Sequence, residues 1–130
     1  MEQVTVMLLL CRRVIVKLLR EHIENSTGFD TITVYKPNEV ARMALARKPR
    51  LAVVEIPERC GSPALETLDV CRDLKAASPN CKIMLMCPEQ DQESVAVCEA
   101  AMKDGEVEDY VFFETSPEYL TSKLKTMLDA

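Results

Sequence analysis

Five times along its length the chain alternates a short, nearly solid apolar run with an amphipathic stretch of helical period. No other feature restricts its fold as much. The runs are Val4 to Leu10, Phe29 to Tyr35, Leu51 to Ile56, Lys82 to Cys87 and Asp109 to Phe113. Their lengths suit strands, and their lack of polar alternation suits strands covered on both faces, as in a parallel sheet. Between them the spacing predicts helices. In the first, from Arg12 to Glu24, Val14, Ile15, Leu18, Leu19, His22 and Ile23 form an apolar stripe that stops at Asn25 to Gly28. Pro37 to Lys48 opens with Pro near its first turn and places Val40, Met43, Ala44 and Arg47 on one side. Leu65, Leu68, Cys71 and Leu74 mark a third helix; Val95, Cys98, Ala101 and Met102 mark a fourth, with Gly105 as its stop. In the last, Ser116 is the expected N-cap, Pro117 the first helical residue, and Leu120, Leu124 and Met127 face inward.

Strands alternating with helices imply βαβ units, right-handed crossovers and a parallel sheet with helices on both faces. The expected fold is therefore α/β, a three-layer doubly wound (βα)5 sandwich around a five-stranded parallel sheet. A chain of 130 residues suits a single domain spanning 1–130. In such sheets ligands meet the C-terminal ends of the strands, so the residues to interrogate are Leu10 to Arg12, Glu55 to Pro57, Cys87-Pro88 and Phe113-Glu114.

Composition removes several function classes. With 21 acids against 16 bases the net charge is −5, which argues against binding nucleic acid. No stretch approaches the roughly 20 apolar residues of a membrane span. Val4 to Leu10 follows Glu2 rather than a basic segment and lacks a small-residue cleavage site, so a signal peptide is not expected and the chain reads as cytoplasmic. Leu8 to Cys11 imitates a lipoprotein box, but with bulky Leu where small residues belong. The six cysteines, at 11, 60, 71, 81, 87 and 98, form no C-x-x-C pair, and His22 alone cannot complete a zinc set. They read as small hydrophobes of a reducing compartment, Cys60 included. Three scattered glycines supply neither a dinucleotide-binding nor a phosphate-binding loop. Met84 to Met86 reads as core filling, His22 as a packed or boundary residue, and Arg42, Arg47, Lys48 and Arg50 as a solvated face.

Several fragments in the correct order resemble the receiver domains of bacterial two-component response regulators. Pro49 to Ile56 resembles the third strand of that family, Asp109 to Phe113 its fifth, and Ser116 to Leu120 the start of its last helix. The likeness spans Val4 to Leu128 and implies a flavodoxin-like topology with strand order 2-1-3-4-5. It also implies a site: two acids after the first strand holding Mg²⁺, a phosphorylated Asp after the third, a Thr or Ser after the fourth and a Lys after the fifth. Here those positions carry Leu10 and Cys11, Glu55, Cys87 and Phe113. Anchoring on Pro57 instead places Val53 at the acceptor position, which is equally inert. A hard cation that seeks oxygen finds an apolar group and a thiol, and no lysine balances a transferred phosphoryl group. The expectation is a degenerate pseudo-receiver that is not an enzyme, holds no metal or cofactor and takes no small-molecule substrate. Glu55 either points to solvent from its strand end or pairs with Arg12 or Arg13 on the same edge of the sheet.

Receivers commonly signal through the face of their fourth helix, fifth strand and fifth helix, here 91–103, 109–113 and 116–128. By that likeness Tyr110 is a candidate switch, and Glu118, Lys123 and Lys125 belong to a candidate contact face. The implied partners are proteins: an output domain, a kinase or a second copy. Two alternatives are weaker. One is an atypical receiver phosphorylated by a histidine kinase on a carboxylate such as Glu55. The other is nucleophilic Cys11 as in low-molecular-weight phosphatases or some sugar-transport phosphocarrier subunits, but Cys11 to Lys17 has no Gly, Ser or Thr to wrap an anion and Lys17 replaces the Arg that the phosphatases require.

Overall fold

A computed structural model of the chain describes residues 3–58 and 61–129. The elements follow the alternation: β1 (Thr5–Leu9), α1 (Arg13–Thr27), β2 (Asp30–Val34), a 3₁₀ turn (Pro37–Glu39) leading into α2 (Val40–Arg47), β3 (Leu51–Glu55), α3 (Pro63–Ala77), β4 (Lys82–Cys87), α4 (Gln92–Lys103), β5 (Asp109–Phe112) and α5 (Pro117–Asp129). All four strand pairings are parallel, and the order across the sheet is β2-β1-β3-β4-β5. The fold is the doubly wound α/β sandwich that the alternation and the resemblance both imply.

The strand period of two divides the core into two layers. Val6, Leu8 and Leu10 of the β1 run, Leu51 and Val53 of β3, and Met84 and Met86 of β4 pack beneath α1 and α5. Met7, Leu9, Ala52, Val54, Ile83 and Leu85 point the other way, beneath α2, α3 and α4. That double burial is why the strands read as solid apolar runs. Met84 and Met86 are buried in the core, as expected. Helix ends follow local chemistry. Gly28 takes the left-handed conformation (φ 76°) at the α1 C-cap, and its N–H donates to the Glu24 carbonyl. Ser116 caps α5 by accepting the Tyr119 N–H at 3.1 Å, with Pro117 first in the helix.

Several inward placements are corrected. On α1 the buried residues are Val16, Leu19 and Ile23, whereas Val14 and Leu18 are exposed. A stripe counted from Val14 and one counted from Val16 both fit the helical period, and α5 packs on the latter. Leu65 and Met102 are likewise exposed, displaced from the interior by Ala64 with Thr67 and by Ser94 with Cys98. Arg47 is exposed too. Asn25 to Thr27 continue α1 instead of ending it, because Gly28 supplies the stop. His22 is a boundary residue whose ring nitrogen lies 3.3 Å from the Ser26 hydroxyl. Cys71, Cys81, Cys87 and Cys98 are buried, Cys11 is exposed, and Cys60 lies outside the described residues. Among the described residues no helix is long and apolar enough to cross a membrane.

Candidate functional site

At the C-terminal edge of the sheet β3 ends on Glu55, whose side chain is only 2% exposed. Arg12 leads from β1 into α1, and its Nε donates to Glu55 Oε2 at 3.2 Å. Of the two readings the sequence left open, Glu55 is therefore paired and not solvent-facing, and its partner is Arg12, not Arg13. The Arg12 guanidinium also lies over Phe113, its central carbon 4.1 Å from the ring centre. The Phe113 backbone N–H in turn donates to the Cys87 carbonyl at 3.1 Å, which fixes the ring at the end of β5. Arg12 is therefore held between a buried carboxylate and an aromatic face, the arrangement that planar, weakly hydrated guanidinium tolerates best.

The structure gathers only some of the five family positions. Glu55 and Phe113 meet through Arg12, and Leu10 is buried in the same layer. Cys87 lies in the opposite layer, its thiol 3.6 Å from the Pro88 carbonyl, and Cys11 is exposed at the start of the β1–α1 turn. The receiver family's Mg²⁺ does not fit here. Its two carboxylates are a buried leucine and a thiol, and the remaining carboxylate already faces a cation. Among the described residues no group of three or more His, Cys, Asp or Glu side chains is placed to hold a metal ion. Three of the buried thiols are poor nucleophiles: burial pushes Cys71 and Cys81 up to about 12, and a hydrogen bond with Cys87 followed by burial raises Cys98, while that same hydrogen bond lowers Cys87.

A second locus lies along α4, β5 and α5. Tyr110 is half-buried; its hydroxyl donates to Glu99 Oε1 at 3.1 Å, and its ring meets Phe112 edge-on at 5.8 Å. Lys123 donates to Asp109 Oδ2 at 2.6 Å and lies 5.5 Å from the Tyr119 ring centre. Burial opposes the Lys123 charge, but the hydrogen bond and attraction of Asp109 outweigh it and hold the ammonium above its ordinary pKa. Beside them runs a groove of about 460 Å³ with Tyr110, Phe112 and Tyr119 in its walls and Glu89 and Glu114 at its rim. Of the contact residues expected from sequence, Lys123 belongs to this face. Glu118 and Lys125 line a different depression, against His22 and Ser26 of α1. Phe112 and Tyr119 fall within the expected segments 109–113 and 116–128 without being singled out there; the four-residue step from Tyr119 to Lys123, which sets both on one helical face, is the signal that would have named Tyr119.

Burial first, then the hydrogen bond to Glu99, raises the Tyr110 pKa above the ordinary tyrosine value. Because the raised value favours the neutral phenol, its contribution to stability is present below about pH 10 and fades as pH rises through the folded-state value. Subtracting a Tyr110→Phe titration at 295 nm from that of the native chain is expected to isolate a transition above that of free tyrosine. Glu99→Gln should shift it downward, and a Tyr110 transition at the free-tyrosine position would contradict the contact.

No protein-family model matches the chain, and no curated protein sequence does so at a significant level. Solved structures do match in fold. A response regulator from Thermotoga maritima superposes with a TM-score of 0.78 at 19% identity, covering 99% of this chain and 100% of that one. A response regulator receiver domain protein from Methanospirillum hungatei matches with a TM-score of 0.76 at 14% identity, covering 98% and 95%. A structure described as an adenylate cyclase from Rhodopirellula baltica matches with a TM-score of 0.79 at 15% identity, covering 98% and 89%. At these identities the likeness is one of fold.

Proposed function

We propose that the chain is a receiver-like signalling domain that is not phosphorylated and works through contact with other proteins. The observation that carries this reading is the Arg12–Glu55 pair. In the family the chain resembles, this corner of the sheet is where a metal and an acceptor carboxylate meet the incoming phosphoryl group. Here a guanidinium balances the charge of the buried carboxylate through one contact, Nε to Oε2, while Glu55 Oε1 and Arg12 Nη2 are buried without a hydrogen-bond partner. Glu55 Oε2 is taken by Arg12, and Phe113 stands where a cationic side chain is needed for transfer. With the chemistry absent, what such a domain retains is its surface. The α4–β5–α5 face, with Tyr110, Tyr119 and Lys123, is the proposed place of contact, and a cytoplasmic protein partner or a second copy is the proposed ligand. No enzymatic step is assigned.

The test is intact mass after incubation with Mg²⁺ and acetyl phosphate, with a parallel hydroxylamine treatment that removes acyl phosphates. The expected result is an unchanged mass. A hydroxylamine-sensitive gain of one phosphoryl group mapped to Glu55 would replace this reading with that of an atypical, phosphorylated receiver. A hydroxylamine-resistant adduct on Cys11 would replace it with cysteine chemistry.

A further inference from the structure

Two exposed surfaces at opposite edges of the sheet complement each other. On α1, Val14 and Leu18 are 76% and 52% exposed, one helical turn apart, with Arg13 and Lys17 beside them. At the end of edge strand β2 Tyr35 is 48% exposed and lies under the Arg13 guanidinium, 4.6 Å from carbon to ring centre. The first turn of α1 contains no acid, so these cations add to the positive end of the helix dipole, an arrangement unfavourable to the helix itself. Glu21, one turn beyond Lys17, and Glu24, which accepts the Thr31 hydroxyl at 2.7 Å, line one depression with Arg13, Lys17, Arg20 and Tyr35, so the three cations there outnumber the two acids. In a chain of net charge −5 this basic, apolar knob is a local exception. At the other edge, the groove beside β5 has aromatic walls and exposed Glu89 and Glu114 at its rim, while its third acid, Asp109, is already matched by Lys123. The knob is left with positive charge and the groove with negative.

We propose that the groove receives the N-terminal half of α1 from a second copy of the chain, with Val14 and Leu18 against the aromatic walls and Arg13 and Lys17 toward Glu89 and Glu114. The inference rests on reading the α4–β5–α5 face as a contact surface, and it names the occupant. Removing the apolar pair from water supplies attraction; the charges set orientation and are screened by salt. Because β2 and β5 are opposite edges of the sheet, each copy presents one surface and receives with the other. Such a contact is heterologous and propagates head to tail instead of closing into a two-fold dimer.

Sedimentation velocity tests this. At about 0.5 mM and low salt, where weak interfaces become populated, the native chain is expected to show an average mass that rises past the dimer with concentration and falls toward the monomer in about 0.5 M salt. Val14→Ser/Leu18→Ser removes the knob and Glu89→Lys/Glu114→Lys reverses the groove rim. All four side chains are exposed, so both variants should keep the native circular dichroism. Each alone is expected to stay monomeric. Mixed in equal amounts they should form a 1:1 pair and nothing longer, since one intact knob then meets one intact groove. A native chain that stays monomeric, or a mixture that does, overturns the proposal. So does a knob variant that still self-associates like the native chain, which would point to an isologous contact and leave the reading of the β5 face standing. The phosphorylation state is read separately by mass.

Discussion

Arg12→Ala is expected to destabilise the fold by about 2–3 kcal/mol, measured by urea unfolding, although it removes a side chain that is 37% exposed. The loss comes less from the ion pair than from what stays behind: a Glu55 carboxylate shielded from water with no compensating cation. Breaking a fully buried pair typically costs about 3–5 kcal/mol, and the partial exposure of Arg12 lowers that figure. The stacking of Arg12 on Phe113 adds about 0.5–1 kcal/mol to what is lost. Arg12→Met combined with Glu55→Leu removes both charges at once and should lie within about 1 kcal/mol of the native chain. If Arg12→Ala alone left stability unchanged, the pair could not be the internal substitute for metal chemistry on which the proposed function rests.

Two adjacent leucines on α1 are expected to behave in opposite ways. Leu19 is buried against the sheet beneath α1 and α5, so Leu19→Ala should lower unfolding free energy by about 2.5–4 kcal/mol through lost transfer energy and the cavity left behind. For a domain stabilised by roughly 5–15 kcal/mol that is a large share. Leu18→Ala, one residue earlier, should change it by no more than about 0.5 kcal/mol. Comparable losses at both positions would mean that α1 buries a wider face than the structure gives it.

The same two leucines mark where sequence reading reaches its limit. Apolar periodicity identified α1 as a helix, yet it selected Val14 and Leu18 as inward along with Leu19 and Ile23. An apolar residue raises the possibility of burial, but a helix bearing more apolar residues than one face can hide must leave some outside. Which face is hidden depends on where α5 and the sheet lie, and that is a property of the packed layers. In the candidate site, the absence of the family's acids, hydroxyl and lysine was legible residue by residue. So was the chance of a Glu55–arginine pair, because β1 and β3 had to end at the same edge of the sheet.

By itself, then, the sequence determined the element order and the two-sided burial of the strands. Each of these depends on local composition and on periods of two and 3.6 residues. Only the tertiary structure decided that Arg12 rather than Arg13 reaches Glu55, that Phe113 stacks on it, and that Cys87 lies in the other layer. It also decided that Lys123 joins Asp109 and Tyr119 while Lys125 and Glu118 lie against α1. These pairings link residues tens of positions apart in the chain or on different faces of one helix. Side-chain reach and direction settle them only once the sheet register and the helix rotations are fixed.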